Sequence, residues 1–131
     1  MDNTHKGSIT RKVDAAITTK YLLMQAGSDD DHIAVGAVDA IPLGVALDTA
    51  AAAEDLMPLG LLGSSDHTLP MVASEAIAVG ERVLAAAAGK VSNESASSST
   101  YYQVGVALTA ADADGDVIEV DPQPATPVVV S

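Results

Sequence analysis

The sequence predicts an all-β fold: a small barrel or sandwich made of two pseudo-repeated β units, with at most one or two short helical turns and extended N- and C-terminal arms. Three observations lead there. The first is a duplicated block, in which Gly44-Val45-Ala46-Leu47 returns as Gly105-Val106-Ala107-Leu108, 61 positions later. At that offset Ala50 falls on Ala111, Ala52 on Ala113 and Asp55 on Asp116, and apolar character is kept at Leu43/Val104, Met57/Ile118 and Leu59/Val120. Upstream, the same spacing pairs Leu22 with Val83 and Leu23 with Leu84. The second observation is punctuation, since short apolar runs alternate with Gly, Pro, Asp and Ser turns. The third concerns the strongest helix formers. Ala50 to Ala53 and Ala85 to Ala88 are runs of about four residues, too short to nucleate a helix alone. Two copies of one β unit in a small domain complete each other's core.

Taken in order, residues 1–16 read as an N-terminal arm, polar and then mixed. Residues 17–121 form the β-domain, with repeat units at about 17–65 and 78–121, and 122–131 is a Pro-rich tail. Ile17 to Gln25 and His32 to Val38 are strands of a hairpin whose long loop carries Asp29-Asp30-Asp31. Leu43 to Leu47 is a short buried strand, and Asp48 to Asp55 a turn or a single helical turn. Leu56 to Leu62 is a strand in which Pro58 implies an edge or a bulge. Gly63 to His67 joins the two units. Leu69 to Ala73 is the next strand, Gly80-Glu81 a turn, and Arg82 to Ala86 runs through Gly89-Lys90 to a return strand at Val91. Ser92 to Thr100 is a Ser-rich loop; Tyr101 to Leu108 and Val117 to Val120 close the second unit. Pro122, Pro124 and Pro127 keep the tail extended up to Val128-Val129-Val130.

At 131 residues the chain is one domain with a modest core. Phe, Trp and Cys are absent, and the only aromatics are Tyr21, Tyr101 and Tyr102. Val, Leu, Ile, Met and Ala must therefore build the core, and partner subunits are expected to add stability. Without Cys there are no disulfides and no thiolate metal sites. The net charge of −12 disfavours direct nucleic-acid binding, because phosphate repels such a surface. The charge is also uneven. Residues 1–20 hold Lys6, Arg11, Lys12 and Lys20 against Asp2 and Asp14, a balance of +2, whereas residues 21–131 hold 16 acids against Arg82 and Lys90, a balance of −14. A basic arm on an acidic body can fold back or reach an acidic neighbour. No secretory signal and no membrane span are read, so the expectation is a chain made and kept in the cytoplasm or assembled into a particle there.

No catalytic constellation emerges, and neither a cofactor nor a metal is expected. Asp112-Ala113-Asp114-Gly115-Asp116 has the alternating carboxylates of a calcium loop, but Val117 stands where such a loop needs Gly and Gln123 lies where the bidentate Glu would fall. An acidic turn before a strand is the reading preferred, and a solvated loop is preferred for Asp29 to His32. His5, His32 and His67 lack paired ligand spacing and are expected to be exposed. Gly60-Leu61-Leu62-Gly63 lacks the Lys and the following helix of a phosphate loop. In Tyr101-Tyr102, alternation sends one ring inward and the other outward, either as an interface anchor or as half-buried packing.

Two groups of residues carry a family resemblance. In the first half they are Gly44 to Leu47 with Asp48-Thr49-Ala50, then Leu59-Gly60-Leu61-Leu62-Gly63. In the second they are Ala76 to Val83, Ala88-Gly89-Lys90-Val91, Val104 to Leu108, and Asp114 to Val120. Over about residues 17–121 the chain resembles the small capsid cement (head decoration) proteins of tailed bacteriophages. That family usually shows Gly near position 53, where this chain has Ala53, and the Pro-rich tail lies outside the match. The resemblance implies a non-enzymatic virion protein, made in the host cytoplasm, on the outer capsid surface at capsomer junctions. It implies the major capsid protein as partner, a homo-oligomer with a trimer favoured, and stabilisation of the expanded shell. Lys6, Ile9, Arg11, Lys12, Val13 and Lys20 are expected to contact the capsid by strand addition. Tyr101, Tyr102, Val128, Val129 and Val130 are expected to contact neighbouring subunits. Two other readings remain open: a tail or spike β-module binding glycan or calcium through the acidic loops, and a small enzyme using His and Asp from separate loops.

Overall fold

A computed structural model describes residues 8–37, 40–64, 67–93 and 100–129. Ten strands build two sheets of five. The first sheet uses β1 (Ser8–Val13), β2 (Leu23–Ala26), β3 (His32–Val35), β4 (Gly44–Ala46) and β5 (Leu56–Leu61). The second uses β6 (Leu69–Val72), β7 (Arg82–Ala85), β8 (Val91–Ser92), β9 (Thr100–Ala107) and β10 (Val117–Val129), with one 3-10 turn at Ala87–Gly89. Sheet 1 closes into a barrel in the order β1-β3-β2-β4-β5. Its seam is the parallel pairing of β1 with β3, through Lys12/His32 and Val13/Ile33. Sheet 2 runs β6-β10-β9-β7-β8, and a single parallel bridge, Ala73 to Val91, joins its ends. Among the described residues no helix is long and apolar enough to cross a membrane.

The two sheets are copies of one plan. β5 meets β1 through Leu56/Lys12 and Leu59/Ile9, and β10 meets β6 through Val117/Val72 and Val120/Leu69. Val45 faces Gly60 and Ala46 faces Leu59, as Val106 faces Asp121 and Ala107 faces Val120. The turns agree as well. The Asp55 carboxylate accepts from the Ala52 N–H and the Asp116 carboxylate from the Ala113 N–H, and each aspartate stands between a left-handed residue and a strand. Glu54 (φ 74°) occupies the left-handed position of Gly115 (φ 96°), and Tyr21 (φ 71°) that of Gly80 (φ 88°), so glycine relieves the strain only in the second copy. One sequence pairing shifts. The ladders match Leu23 with Arg82 and Met24 with Val83, not with residues 61 further on, because the connectors differ in length.

The repeated glycine has a steric cause. A Cβ on Gly44 would collide with the carbonyl oxygen of Gly60, and a Cβ on Gly105 with that of Asp121, the same spot in each copy. Core residues divide between two clusters. Val13, Ile17, Met24, Ile33, Ala46, Met57 and Leu59 fill barrel 1. Leu69, Met71, Val83, Val104, Ile118 and Val120 fill sheet 2, but Leu23, Val45 and Leu62 of the first unit join them. Alternation along β2 and β4 thus sends Leu23 and Val45 one way and Met24 and Ala46 the other, burying both faces.

Both ends are extended, as expected, and the described part of each is paired within the chain. Residues 8–13 are barrel strand β1, which closes sheet 1 from two sides, and residues 122–129 continue β10 against β9. Ile9 and Val13 supply the apolar alternation that β1 needs. Pro124 falls where the ladder shifts between Pro122 and Thr126, Pro122 and Pro127 stand opposite Gly105 and Tyr102, and Ala125 packs on the sheet 2 core. Pro58 is not at an edge, because β5 lies between β4 and β1. Its carbonyl accepts from the Leu47 N–H just past the end of β4, so the missing donor costs at most one bond there.

Gly44→Ala and Gly105→Ala should each lower stability by about 1–3 kcal/mol through backbone collision. Ala53→Ser, on an exposed turn, should change it by less than about 0.5 kcal/mol. Urea unfolding midpoints measure all three, and wild-type midpoints for both glycine variants would rule out the steric account.

Candidate functional site: the mouth of barrel 1

A cleft of about 490 Å³ opens into barrel 1 between β1, β3, β5 and the β2–β3 hairpin. Its floor is Ile9, Ile33, Leu59 and Leu61, and these side chains also pack on the barrel 1 core. Leu43 stands on the rim, and an adjoining hollow shares Leu43 and Ala26 and adds Ile41. Ile41 is 58% and Leu43 43% exposed, so this end of the barrel presents an apolar lip to solvent. Arg11 lines the mouth too, on the strand face that carries Ile9 and Val13. Its guanidinium donates to the Thr10 carbonyl oxygen at 2.9 Å.

The hairpin wall is tied from three directions. The Asp14 carboxylate accepts from the Ser28 N–H at 2.9 Å and from the Ser28 hydroxyl at 2.8 Å. Gly27 lets the hairpin approach this closely, since a Cβ there would lie 2.8 Å from Asp14 Oδ2 and from the His32 carbonyl carbon. Lys12 Nζ lies 3.7 Å from Asp31 Oδ2. His32 supplies the third tie. Its Nδ1 is 2.9 Å from Asp31 Oδ1 and its Nε2 2.7 Å from Glu54 Oε2. Carboxylates only accept, so both contacts are hydrogen bonds together only for the imidazolium. The Glu54 bond raises the His32 pKa, burial opposes it, and the Asp31 bond adds to the rise. The same ring, through its hydrogen bond, holds the Asp31 carboxyl below the usual range, against a smaller cost of desolvation.

Several expectations change here. The sequence predicts an exposed His32, but the ring is 8% exposed and fully engaged, because barrel closure lays Glu54 over it. His67 is exposed, with Nδ1 2.9 Å from the Thr68 carbonyl oxygen; His5 lies outside the described residues. Asp29, Asp31 and His32 converge closely enough to suggest a cation, yet both ring nitrogens already face the protein's own carboxylates. Asp116 accepts from the Asp112 and Ala113 N–H groups, the geometry of an acidic turn before a strand.

Of the capsid-contact residues read from the sequence, Ile9 and Arg11 meet at the mouth. Val13 is buried in the core, which removes it from any surface. Lys12 points to the hairpin, Lys20 is exposed away from the cleft, and Lys6 lies outside the described residues. Of the subunit-contact residues, Tyr101 is 8% exposed and Tyr102 is half-buried against the sheet 2 core, so neither ring stands free. Val128 and Val129 pair with Tyr101 and Thr100 of the chain's own β9, and Val130 lies outside the described residues. Ile41, Leu43 and His32 escape the sequence reading as site residues. Leu43 reads there as buried strand. A signal for Ile41 exists in the connector Asp39-Ala40-Ile41-Pro42, an apolar residue where a polar one would serve.

The chain is thus a duplicated all-β fold, a closed barrel beside a five-stranded sheet, with an apolar, open mouth. The phage cement protein family matches residues 4–122, and the chain belongs to that family. It is a structural protein of the phage head. Among solved structures, the N base of the head fiber gp8.5 of bacteriophage phi29 shares the fold, with a TM-score of 0.65 and 21% identity over 86% of this chain and 90% of that one. No curated protein matches the chain.

Asp14→Ala should free the hairpin wall at a cost of about 1–3 kcal/mol, because two hydrogen bonds to a charged group are lost. Faster hydrogen exchange at the Ser28 amide, with the Ser74 amide unchanged, is the expected reading.

Proposed function

We propose that this cement protein binds the outer surface of the icosahedral head at capsomer junctions and stabilises the expanded shell, using the mouth of barrel 1 as its contact surface. Membership of the cement family carries the capsid role. Leu56, Val79, Leu108 and Val117 are exposed as well, but Ile41 and Leu43 are the exposed apolar side chains that flank the cleft and Arg11, and this supports the mouth as the surface. The partner it fits is a capsid protein segment with an apolar side chain for the mouth and an acidic group for the guanidinium. Lys6 and Lys20 add long-range attraction to an acidic shell. The favoured assembly is a trimer, in keeping with the small clusters typical of such proteins, and a second copy seated in the mouth is the rival occupant.

Deleting residues 1–16 would remove β1 and unfold barrel 1, so point changes test the surface more cleanly. Leu43→Asp, Ile41→Asp and Arg11→Glu should each keep the fold and weaken co-sedimentation with purified expanded heads by about tenfold or more, the size of a buried anchor. Full occupancy of the double variant Ile41→Asp/Leu43→Asp would remove the mouth from the interface. A changed oligomer with unchanged head binding would assign it to subunit contact instead.

A further inference from the structure

Both halves of the protein brace the same junction, with different cations. In sheet 2, Lys90 at the entry to β8 reaches Asp114 in the turn before β10, Nζ to Oδ1 2.7 Å. The seam register aligns Val13/Ile33 with Ala73/Val91, so His32 takes the place of Lys90. The turn that holds Glu54 likewise takes the place of the turn that holds Asp114. The backbone bond at the seam is also shared: Asp14 N–H to Ile33 O at 3.0 Å, and Ser74 N–H to Val91 O at 2.8 Å. A lysine ammonium keeps its charge well above neutrality, whereas an imidazolium does not.

We infer that His32 is a proton-operated clasp, which as imidazolium fastens the β2–β3 hairpin to the Glu54 turn and so holds both the β1–β3 seam and the wall of the mouth. This rests on the mouth being the contact surface, whose regulation it supplies. The groups facing the ring are Asp29 and Asp31 on its own hairpin and Glu54 on the turn before β5. From β1, Lys12 answers Asp31, while Arg11 and Asp30 line the same mouth. When the ring loses its proton, the three carboxylates around it lose their shared cation, Lys12 answers only Asp31, and a lone pair replaces one N–H. One tie of the wall then becomes a repulsion, and the Asp14–Ser28 bonds and the Lys12–Asp31 pair hold it from the β1 side only.

The sign follows from the direction in which folding moves the ring's affinity for its proton. A histidine whose pKa is raised by folding gives stability that is fully present below its unfolded value and is lost as pH rises through the folded one. The clasp is therefore shut below the ordinary histidine pKa and opens as pH rises through the raised one. The Lys90–Asp114 brace is the control built into the same chain.

Nuclear magnetic resonance on the full chain, from about pH 6 to about pH 9, reads this directly. The His32 ring should titrate above the usual histidine range. Protection factors at the Lys12 and Asp14 amides should fall by about tenfold as the ring loses its proton, while Ser74 stays level. His32→Lys should hold the seam closed across the range, and His32→Gln should leave it loosened even at about pH 6. Seam protection that ignores the ring's titration, or wild-type protection in His32→Gln, overturns the clasp whatever the heads do. Co-sedimentation with heads then addresses the mouth separately: binding should fade with rising pH in the wild type and stay level in His32→Lys. Level wild-type binding over a titrating seam would overturn the mouth as contact surface and leave the clasp standing as a stability device.

Discussion

Sheet 2 has no complete core of its own. Its cluster includes Leu23 and Val45, which project from the outer face of barrel 1, and Leu62 from the end of β5's run. The constraint is that β2 and β4 are apolar on both faces, Leu23 with Met24 and Val45 with Ala46, so one wall serves two interiors. The backbone approach reinforces it. Gly89 donates to the Gly36 carbonyl at 2.9 Å, and a Cβ on Gly89 would sit 2.9 Å from Leu22 Cβ. In a chain without Phe or Trp, a shared wall raises the apolar area buried per residue, the quantity that small domains lack.

Much of this plan is legible because the repeat writes it twice. The duplicated glycine marks a close approach, and the duplicated aspartate marks a turn cap; both roles can be read in the structure at both copies. The ends are harder. Ser8 to Val13 carries Arg11 and Lys12 among its apolar residues, a mixture that suits an arm as well as a strand whose inner face lines a barrel mouth. Nothing local distinguishes the two, since the partner strands β3 and β5 lie about 20 and 50 residues away. His32 reads as exposed for the same reason. Its neighbours in sequence are three aspartates, and the group that covers it, Glu54, arrives only when the barrel closes. The proline tail is extended as its sequence implies, and the shift between Pro122 and Thr126 lets β10 resume its pairing despite the prolines.

The uneven charge also acquires a structural meaning. Two of the four early bases are drawn into barrel 1, Lys12 to the hairpin and Arg11 to the mouth, so the +2 of the first 20 residues is not a free basic arm. Arg11 is the more telling of the two. Its half-exposed guanidinium stands on the strand face of Ile9 and Val13, bonds only the Thr10 carbonyl oxygen among the described residues, and shares the cleft with Asp29 and Asp30. The acids that dominate the rest of the chain lie on loops and turns, where several cap their own backbone. Solubility and turn geometry account for those. They do not account for the cation at the mouth.

Duplication usually leaves two copies free to diverge, and here the divergence is concentrated at the seam. Barrel 1 is closed by two parallel pairs; sheet 2 is joined by one bridge. The first copy accepts non-glycine residues at both left-handed turns, Tyr21 and Glu54, where the second has glycine. Strain of that kind persists only where the surroundings over-determine it. At Glu54 the surroundings are the His32 ring and the Val13 carbonyl, which receives the Glu54 N–H at 2.8 Å. The second copy carries the permanent cation and a left-handed non-glycine residue of its own, Ala88 (φ 59°); the first carries the titratable ring and the open mouth. Exposed apolar side chains stand in both halves, Ile41, Leu43 and Leu56 in the first and Val79, Leu108 and Val117 in the second, so the proposed contact surface on barrel 1 rests on the open mouth and the titratable ring beside it rather than on exposure alone.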